Sequence, residues 1–102
     1  MANYNNTPAS EHVVLYANNT KEIAERLVWL RRQIAGRMSA GRPAVREYLA
    51  ESSNMRAIVR DAAKMARRDT WCQPTSDDLA AARYRLADEV FDEAALELKQ
   101  NL

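Results

Sequence analysis

The pattern of hydrophobic and polar residues is most regular between Ser53 and Asp69. Apolar side chains recur there at three- and four-residue steps, namely Met55, Ile58, Val59, Ala62, Met65 and Ala66. Cations recur at the same steps on the other side, namely Arg56, Arg60, Lys64, Arg67 and Arg68. Since residues three and four apart share one face of an α-helix, this spacing predicts a helix with an apolar face and a basic face. Ser53 is the predicted N-cap, because its hydroxyl can accept a hydrogen bond from a free N–H of the first turn.

Two helices are predicted in the N-terminal part of the chain. A short one is expected over residues 10–17, followed by a turn at Asn18 and Asn19. Thr20 is then expected to cap a longer helix that ends near Ser39. Its apolar stripe consists of Ile23, Leu27, Leu30, Ile34 and Met38. Trp29 falls on the opposite, polar side, where either the N-terminal segment covers it or it anchors an interface.

A third helix follows a pair of helix-breaking residues. Gly41 suits the position after a helix and Pro43 suits the first turn of the next one, so they separate the second helix from the third. The third helix is predicted over residues 43–51. Its inward-facing side chains are expected to be Val45, Tyr48 and Leu49. A tight break over residues 51–53 then leads into the basic helix.

The final helix is predicted after a non-helical joint over residues 70–75, because Pro74 disfavours helical backbone at the residue before it. Ser76 is expected to cap this helix, which should extend to about Lys99. Its apolar stripe comprises Leu79, Leu86, Val90, Ala94 and Leu98, flanked by Tyr84, Ala87 and Phe91. Arg83 lies within the stripe. Its charge must either pair with another helix, even across a subunit boundary, or snorkel to the surface.

The last helix also carries apolar residues outside its main stripe. Tyr84 and Phe91 lie on one flank of the stripe, and Leu96 lies on the far side. A helix whose apolar residues extend around it often buries more than one face. We therefore expect a homo-oligomer, with an interface formed by Tyr84, Phe91, Leu96 and Trp29.

The composition agrees with a helical fold. The chain of 102 residues contains only two Gly and three Pro, which favours helices over a many-turned β fold. Pattern and composition together predict an all-α protein, a small bundle of four to five helices with a long C-terminal helix. Residues 1–9 are expected to form a flexible arm, and residues 10–102 a single helical domain.

Enzymatic chemistry has little support in the sequence. One His and one Cys cannot supply the ligands of a typical metal site, so no cofactor is expected. A nucleophilic pair of Cys72 and His12 is formally possible, but no pattern brings them together. We therefore expect a protein that is not an enzyme. The lone cysteine, the lack of an apolar run of about 20 residues and an N-terminus unlike a secretory signal predict a cytoplasmic protein without membrane contact.

Charge is distributed unevenly, although the formal net charge is only +1. Residues 26–68 contain eleven Lys and Arg against three acids, whereas residues 77–102 contain three against seven. Cations four residues apart on a helix are separated by a rise of about 6 Å, comparable with the phosphate spacing along one DNA strand. The predicted nucleic-acid-binding residues are Arg46, Arg56, Arg60, Lys64, Arg67 and Arg68. Two alternatives stay open: these cations pair with the acids of the last helix, or they bind an acidic protein.

Two segments resemble the small terminase subunits of tailed phages and related elements. Residues 45–61 are similar to the start of that family's DNA-binding helix-turn-helix. In that motif a helix ending in an apolar-Ala-Glu step precedes a short break and an apolar-Arg-Ala-Ile-x-Arg-Asp helix. Residues 40–43 are similar to a common lead-in to the motif. Residues 83–93 look like the family's oligomerisation helix, in which Ala-Asp is followed by apolar and acidic residues.

The resemblance implies a DNA-binding accessory protein in DNA packaging, which forms rings and hands duplex DNA to a large ATPase subunit. The family's recognition helix carries a Thr and a Trp several residues apart, whereas Thr70 and Trp71 are adjacent here and Pro74 follows. DNA contact would then rest mainly on the basic helix, with weak sequence selectivity. The alternative function is a protein-interaction module, such as an inhibitor or adaptor, that binds a charged surface. A third is a virion assembly or connector protein.

Overall fold

The computed structural model describes residues 8–100, which form five α-helices and one 3₁₀ helix. The helices are α1 (Ala9–Asn19), α2 (Lys21–Gln33), the 3₁₀ helix (Ala35–Ala40), α3 (Arg42–Glu51), α4 (Ser53–Asp69) and α5 (Ser76–Gln100). The predicted all-α fold with a long C-terminal helix is thereby confirmed. The predicted flexible arm falls mostly on residues 1–7, which lie outside the described residues.

One hydrophobic core joins all of these helices, and α5 packs against each of the others. The largest fully buried side chains are Ile34, Leu49, Met55, Ile58 and Leu86. Burying one such side chain contributes about 1.5–3 kcal/mol relative to leaving it exposed. The apolar face of α4 lies in this core as predicted, with Met65 only partly buried. Because α4 directs that face inward, its basic face points to solvent.

Ser52 alone connects α3 to α4. Its hydroxyl donates to the carbonyl oxygen of Leu49 at 2.8 Å and accepts from the N–H of Met55 at 3.1 Å. The same side chain therefore satisfies a carbonyl at the end of α3 and an N–H at the start of α4. The prediction of Ser53 as the cap was wrong by one residue, since Ser53 is already helical.

Thr75, rather than the predicted Ser76, caps α5. Its hydroxyl accepts from the N–H of Asp78 at 3.2 Å, and its own N–H donates to the Asp78 carboxylate at 2.9 Å. This reciprocal pair has the pattern of a capping box, with an aspartate in the position usually held by Glu or Gln. The predicted non-helical joint before it is confirmed, since neither α4 nor α5 includes residues 70–75.

Three further local predictions need correction. Asn18 and Asn19 belong to α1 rather than to a turn, and the backbone leaves the helix only at Thr20. The second helix does not continue to Ser39, because the α-helix stops at Gln33 and a 3₁₀ helix follows. Tyr48 is 48% exposed rather than inward-facing, and the Arg37 guanidinium lies 4.3 Å from its ring centre.

Gly41 turns the chain between the 3₁₀ helix and α3. Its φ of 95° lies in the region that L-residues with a side chain rarely adopt. Pro43 follows in the first turn of α3, where its missing N–H costs no helical hydrogen bond. The predicted helix break at this point is therefore correct, and it sets the direction in which α3 packs against α5.

Candidate nucleic-acid interface

The basic face of α4 consists of five exposed cations along one side of the helix. They are Arg56, Arg60, Lys64, Arg67 and Arg68. From the first to the last, the helix rises by about 18 Å at 1.5 Å per residue. The structure brings these five predicted residues together on one face. They form an elongated positive surface, which is the geometry that an extended polyanion requires.

Acids adjacent in the chain partly neutralise this basic face. Arg60 Nε lies 3.4 Å from a carboxylate oxygen of Asp61, and Arg68 Nε lies 2.8 Å from one of Asp69. The hydrogen bond from the Arg68 guanidinium holds the pKa of the Asp69 carboxyl below its usual value. Within residues 8–100, no carboxylate forms an ion pair with Lys64 or Arg67. The positive face therefore keeps an excess of charge.

Glu51 lies at the N-terminal end of the basic face, beside Arg56. Its carboxylate accepts hydrogen bonds from Arg56 and from the Tyr84 hydroxyl, the latter at 3.0 Å. The Tyr84 bond and then the Arg56 bond lower the pKa of the Glu51 carboxyl, while the pKa of the Tyr84 hydroxyl is raised by the same contact. Arg56 is thus the one cation of the basic face that pairs with an acid of another helix in the described part of the chain.

Arg26 of α2 flanks the basic face from the side. Its guanidinium donates to Asp61 at 2.8 Å, and this bond lowers the pKa of the Asp61 carboxyl. Asp61 therefore contacts two cations, Arg26 and Arg60. The contact fixes α2 beside α4 and reduces the negative charge that Asp61 would otherwise present to a bound anion.

The acidic segment of α5, formed by Asp88, Asp92, Glu93 and Glu97, pairs with a different set of arginines. Arg46 Nε lies 2.8 Å from a carboxylate oxygen of Asp88, and an Arg42 guanidinium nitrogen lies 3.5 Å from the same oxygen. Arg42 also pairs with Asp92. Both guanidinium groups lie over aromatic rings of α5: Arg42 is 4.5 Å from the centre of Phe91, and Arg46 is 4.7 Å from that of Tyr84. Each arginine thus combines an ion pair with a cation–π contact.

Arg31 of α2 neutralises the next part of α5. Its Nε lies 3.1 Å from Glu97, and another guanidinium nitrogen lies 3.5 Å from Glu93. The Nε bond is poorly directed, since this buried atom has no hydrogen bond of good geometry. Of the six predicted cations, only Arg46 pairs with an acid of α5 in the described part of the chain. The partners of Asp92, Glu93 and Glu97 are other arginines of α2 and α3, so the alternative of pairing with the last helix does not hold for the basic face of α4.

Arg46 is separated from the other predicted nucleic-acid-binding residues. It lies on α3, and its guanidinium is occupied by Asp88 and the ring of Tyr84. Arg83 is likewise held inside the chain: its Nε donates to the carbonyl oxygen of Ala50 at 2.9 Å, with the side chain only 13% exposed. The structure therefore pairs Arg83 within one chain, with no need for a subunit boundary.

The four residues predicted to form an oligomer interface do not form one patch. Tyr84 and Phe91 share the side of α5 that faces α3, where arginines cover their rings. Leu96 is 49% exposed and lies on another side of α5. Trp29 is also 49% exposed, in a shallow depression lined by Arg26, Asn54 and Ile58. Self-association stays a prediction.

Trp71, which the sequence reasoning did not select as a site residue, is 93% exposed in the joint after α4. The available signal was a Trp placed outside the predicted helices, directly after the basic helix and before Pro74. Cys72 beside it is half-buried, with its Sγ 3.8 Å from the carbonyl oxygen of Ala9. Burial raises the pKa of the Cys72 thiol, which disfavours the nucleophilic thiolate.

Comparison with models of known protein families, with curated protein sequences and with solved structures finds no match to this chain. Among the helices described, none has the length and apolar content needed to cross a membrane. Residues 8–100 also contain no group of three or more His, Cys, Asp or Glu arranged to hold a metal ion. The candidate site therefore rests on its own geometry.

Proposed function

We propose that this protein is a non-enzymatic, DNA-binding accessory protein of the cytoplasm. It contacts the phosphates of duplex DNA through the basic face of α4, with weak sequence selectivity. Its place in DNA packaging follows from the resemblance to small terminase subunits. The observation that carries the proposal is the exposure of all five cations of that face, while four acids of α5 (Asp88, Asp92, Glu93 and Glu97) are paired with arginines of α2 and α3.

The electrostatics of the basic face suit an exchange of partners. Its ion pairs are exposed, and such pairs contribute little to stability because water screens them. A phosphate can therefore replace an acid beside Arg60 or Arg68 at small cost. Lys64 and Arg67 lie between those two positions and add charge to the same row. Binding releases counterions from the duplex, which makes the affinity depend strongly on salt.

The test is a titration of labelled duplex DNA at two salt concentrations, with the wild type and the variant R56Q/R60Q/K64Q. The wild type should bind tightly at low salt and weaken steeply as salt rises. In the variant, the slope of log K against log salt should shrink by up to about 2.7, because each of the three lost phosphate contacts accounts for about 0.9. Gln is a good helix former, so the fold should remain intact. Absence of binding at low salt would reject the proposal and favour a protein-interaction module.

Oligomerisation is the second part of the proposal. Leu96 and Leu98 near the end of α5 are 49% and 41% exposed, and Leu98 thereby departs from the buried stripe in which it was predicted. Residues two apart on a helix point in different directions, so a partner that covers both must wrap around the end of α5. Light scattering should report an assembly larger than a monomer, and a monomer at micromolar concentration would reject this part.

A further inference from the structure

We propose that Trp71 stacks on an unpaired base of nucleic acid bound at the C-terminal end of the basic face, so that the site takes a single-stranded segment as well as duplex phosphates. The inference rests on the proposed function, because it needs a nucleic acid on α4. It goes beyond that function by naming a base contact and a strand type.

The first observation is the degree of exposure. Trp71 is 93% exposed, whereas Trp29, the other tryptophan, is 49% exposed. Tryptophan is among the largest apolar side chains, and a protein gains free energy when its ring leaves water. In the described part of the chain, no helix offers that burial to Trp71. Its ring is therefore available to a ligand.

The second observation is that both backbone neighbours of Trp71 are held in place. The Thr70 hydroxyl donates to the carbonyl oxygen of Ala66 at 2.6 Å and accepts from the N–H of Cys72 at 3.0 Å. The Cys72 side chain is half-buried against Ala9 of α1. The exposed ring thus stands between two anchored residues, so less conformational entropy is lost when a base stacks on it.

The third observation is the charge around the joint. Lys64, Arg67 and Arg68 occupy the last two turns of α4, directly before Trp71. Two of the three acids nearest in sequence are engaged: Asp69 pairs with Arg68, and Asp78 accepts from Thr75 in the cap of α5. The third, Asp77, is exposed in the first turn of α5. Cations beside an exposed aromatic ring are the combination used by proteins that bind single strands, where phosphates meet the cations and bases stack on the ring.

The strand type follows from the geometry of stacking. Bases inside a duplex already stack on one another, so a protein ring gains access only at an end, a gap or a single-stranded segment. One stacked base changes the affinity by about 5- to 150-fold in proteins that use such contacts. The phosphate contacts of the basic face serve either strand type, whereas the ring of Trp71 adds affinity for unpaired bases alone.

The test compares W71A with the wild type on a short oligothymidylate and on a duplex with the same number of phosphates. W71A should weaken binding to oligothymidylate by about 5- to 150-fold and leave duplex binding nearly unchanged. W71F should keep most of the affinity, because it retains an aromatic face. Y48A is the matched control and should bind like the wild type, because Tyr48 is an exposed aromatic of α3 outside both the basic face and the predicted oligomer interface. Thermal melts should be unchanged in W71A, since an exposed ring contributes no core packing.

Fluorescence gives an independent readout. In the W29F variant, Trp71 is the one remaining tryptophan. Its emission should be quenched by oligothymidylate and much less by duplex. Equal effects of W71A on both ligands, or none on either, would overturn the proposal while duplex binding and its salt dependence could still stand. A wild type that binds neither ligand would overturn both proposals.

Discussion

The acidic segment of α5 and the basic face of α4 carry opposite charges, yet they are neutralised in different ways. Arginines of α2 and α3 form ion pairs with Asp88, Asp92 and Glu93. Two of these arginines also lie over aromatic rings of α5. On the basic face, Arg60 and Arg68 pair only with acids adjacent in the chain, and within residues 8–100 Lys64 and Arg67 form no ion pair. Both segments are exposed and amphipathic, so the difference comes from which helices lie beside them.

This difference separates arginines that hold two helices together from arginines that face solvent and can bind a ligand. An arginine between two helices combines ion pairs with contact area, and its loss disturbs the position of both helices. An arginine on an outer face forms weak, screened pairs that a phosphate can replace. The number of charges along the sequence does not distinguish these two kinds of arginine. They are distinguished by whether the guanidinium group lies between two helices or on an outer face.

The largest expected effect on stability concerns Arg83, the least exposed arginine with an ion pair between helices. In R83A, the Ala50 carbonyl loses its donor, which should cost about 1–3 kcal/mol of unfolding free energy. Such a loss lowers the melting temperature by about 4–8 °C per kcal/mol in a domain of this size. The matched variant R60A on the basic face should stay within about 0.5 kcal/mol of wild type. Equal losses in chemical denaturation would remove the distinction between the two regions.

The next largest effect concerns Ser52, the residue that connects α3 to α4. S52A should lower the unfolding free energy by about 0.5–2 kcal/mol, because the Met55 N–H loses its acceptor. S53A is the matched control, since Ser53 is exposed and already within the helix. Thermal melts of the two variants should therefore differ. A larger loss in S53A than in S52A would show that the capping residue is the one expected from sequence.

The smallest expected effect concerns how the stability of the fold depends on pH. Hydrogen bonds, first from Arg26, hold the folded-state pKa of Asp61 below its ordinary value of 3.8, so its contribution to stability is present above that value. It is lost as the pH falls through the lower folded-state pKa. Melting temperatures at neutral pH and at about pH 3 should therefore differ less in D61N than in wild type. E22Q removes an exposed acid as control, and an unchanged pH dependence in D61N would contradict the role assigned to Arg26.

The five α-helices could be read from the sequence, but the 3₁₀ helix over Ala35–Ala40 and the neighbours of each helix could not. Periodicity predicted the bounds of α4 and its buried face, because that pattern depends only on local geometry. Caps were misplaced by one residue at Ser52 and Thr75, since adjacent residues of each pair have suitable hydroxyls. The partners of the α5 acids depend on the packing of α3 and α2, which no single-helix pattern specifies.

The candidate site was predictable to the same extent. The five cations of the basic face shared one helical face in the sequence and do so in the structure. Arg46 was predicted to act with them, but α3 directs it to Asp88. Trp71 entered the sequence analysis only as a neighbour of Thr70 in the family comparison, because its exposure depends on a joint whose course follows from the contacts of Thr70 and Cys72.

The most direct test of the difference between the two regions compares two triple variants with the same change in charge. R56Q/R60Q/K64Q removes three cations of the basic face, and R31Q/R42Q/R46Q removes three that pair with α5. Salt-dependent binding to labelled duplex DNA should lose up to about 2.7 in slope in the first variant and almost nothing in the second. The second should instead lower the melting temperature. An equal loss of slope in both variants, or a loss in the second alone, would contradict the assignment of the basic face as the DNA-binding surface.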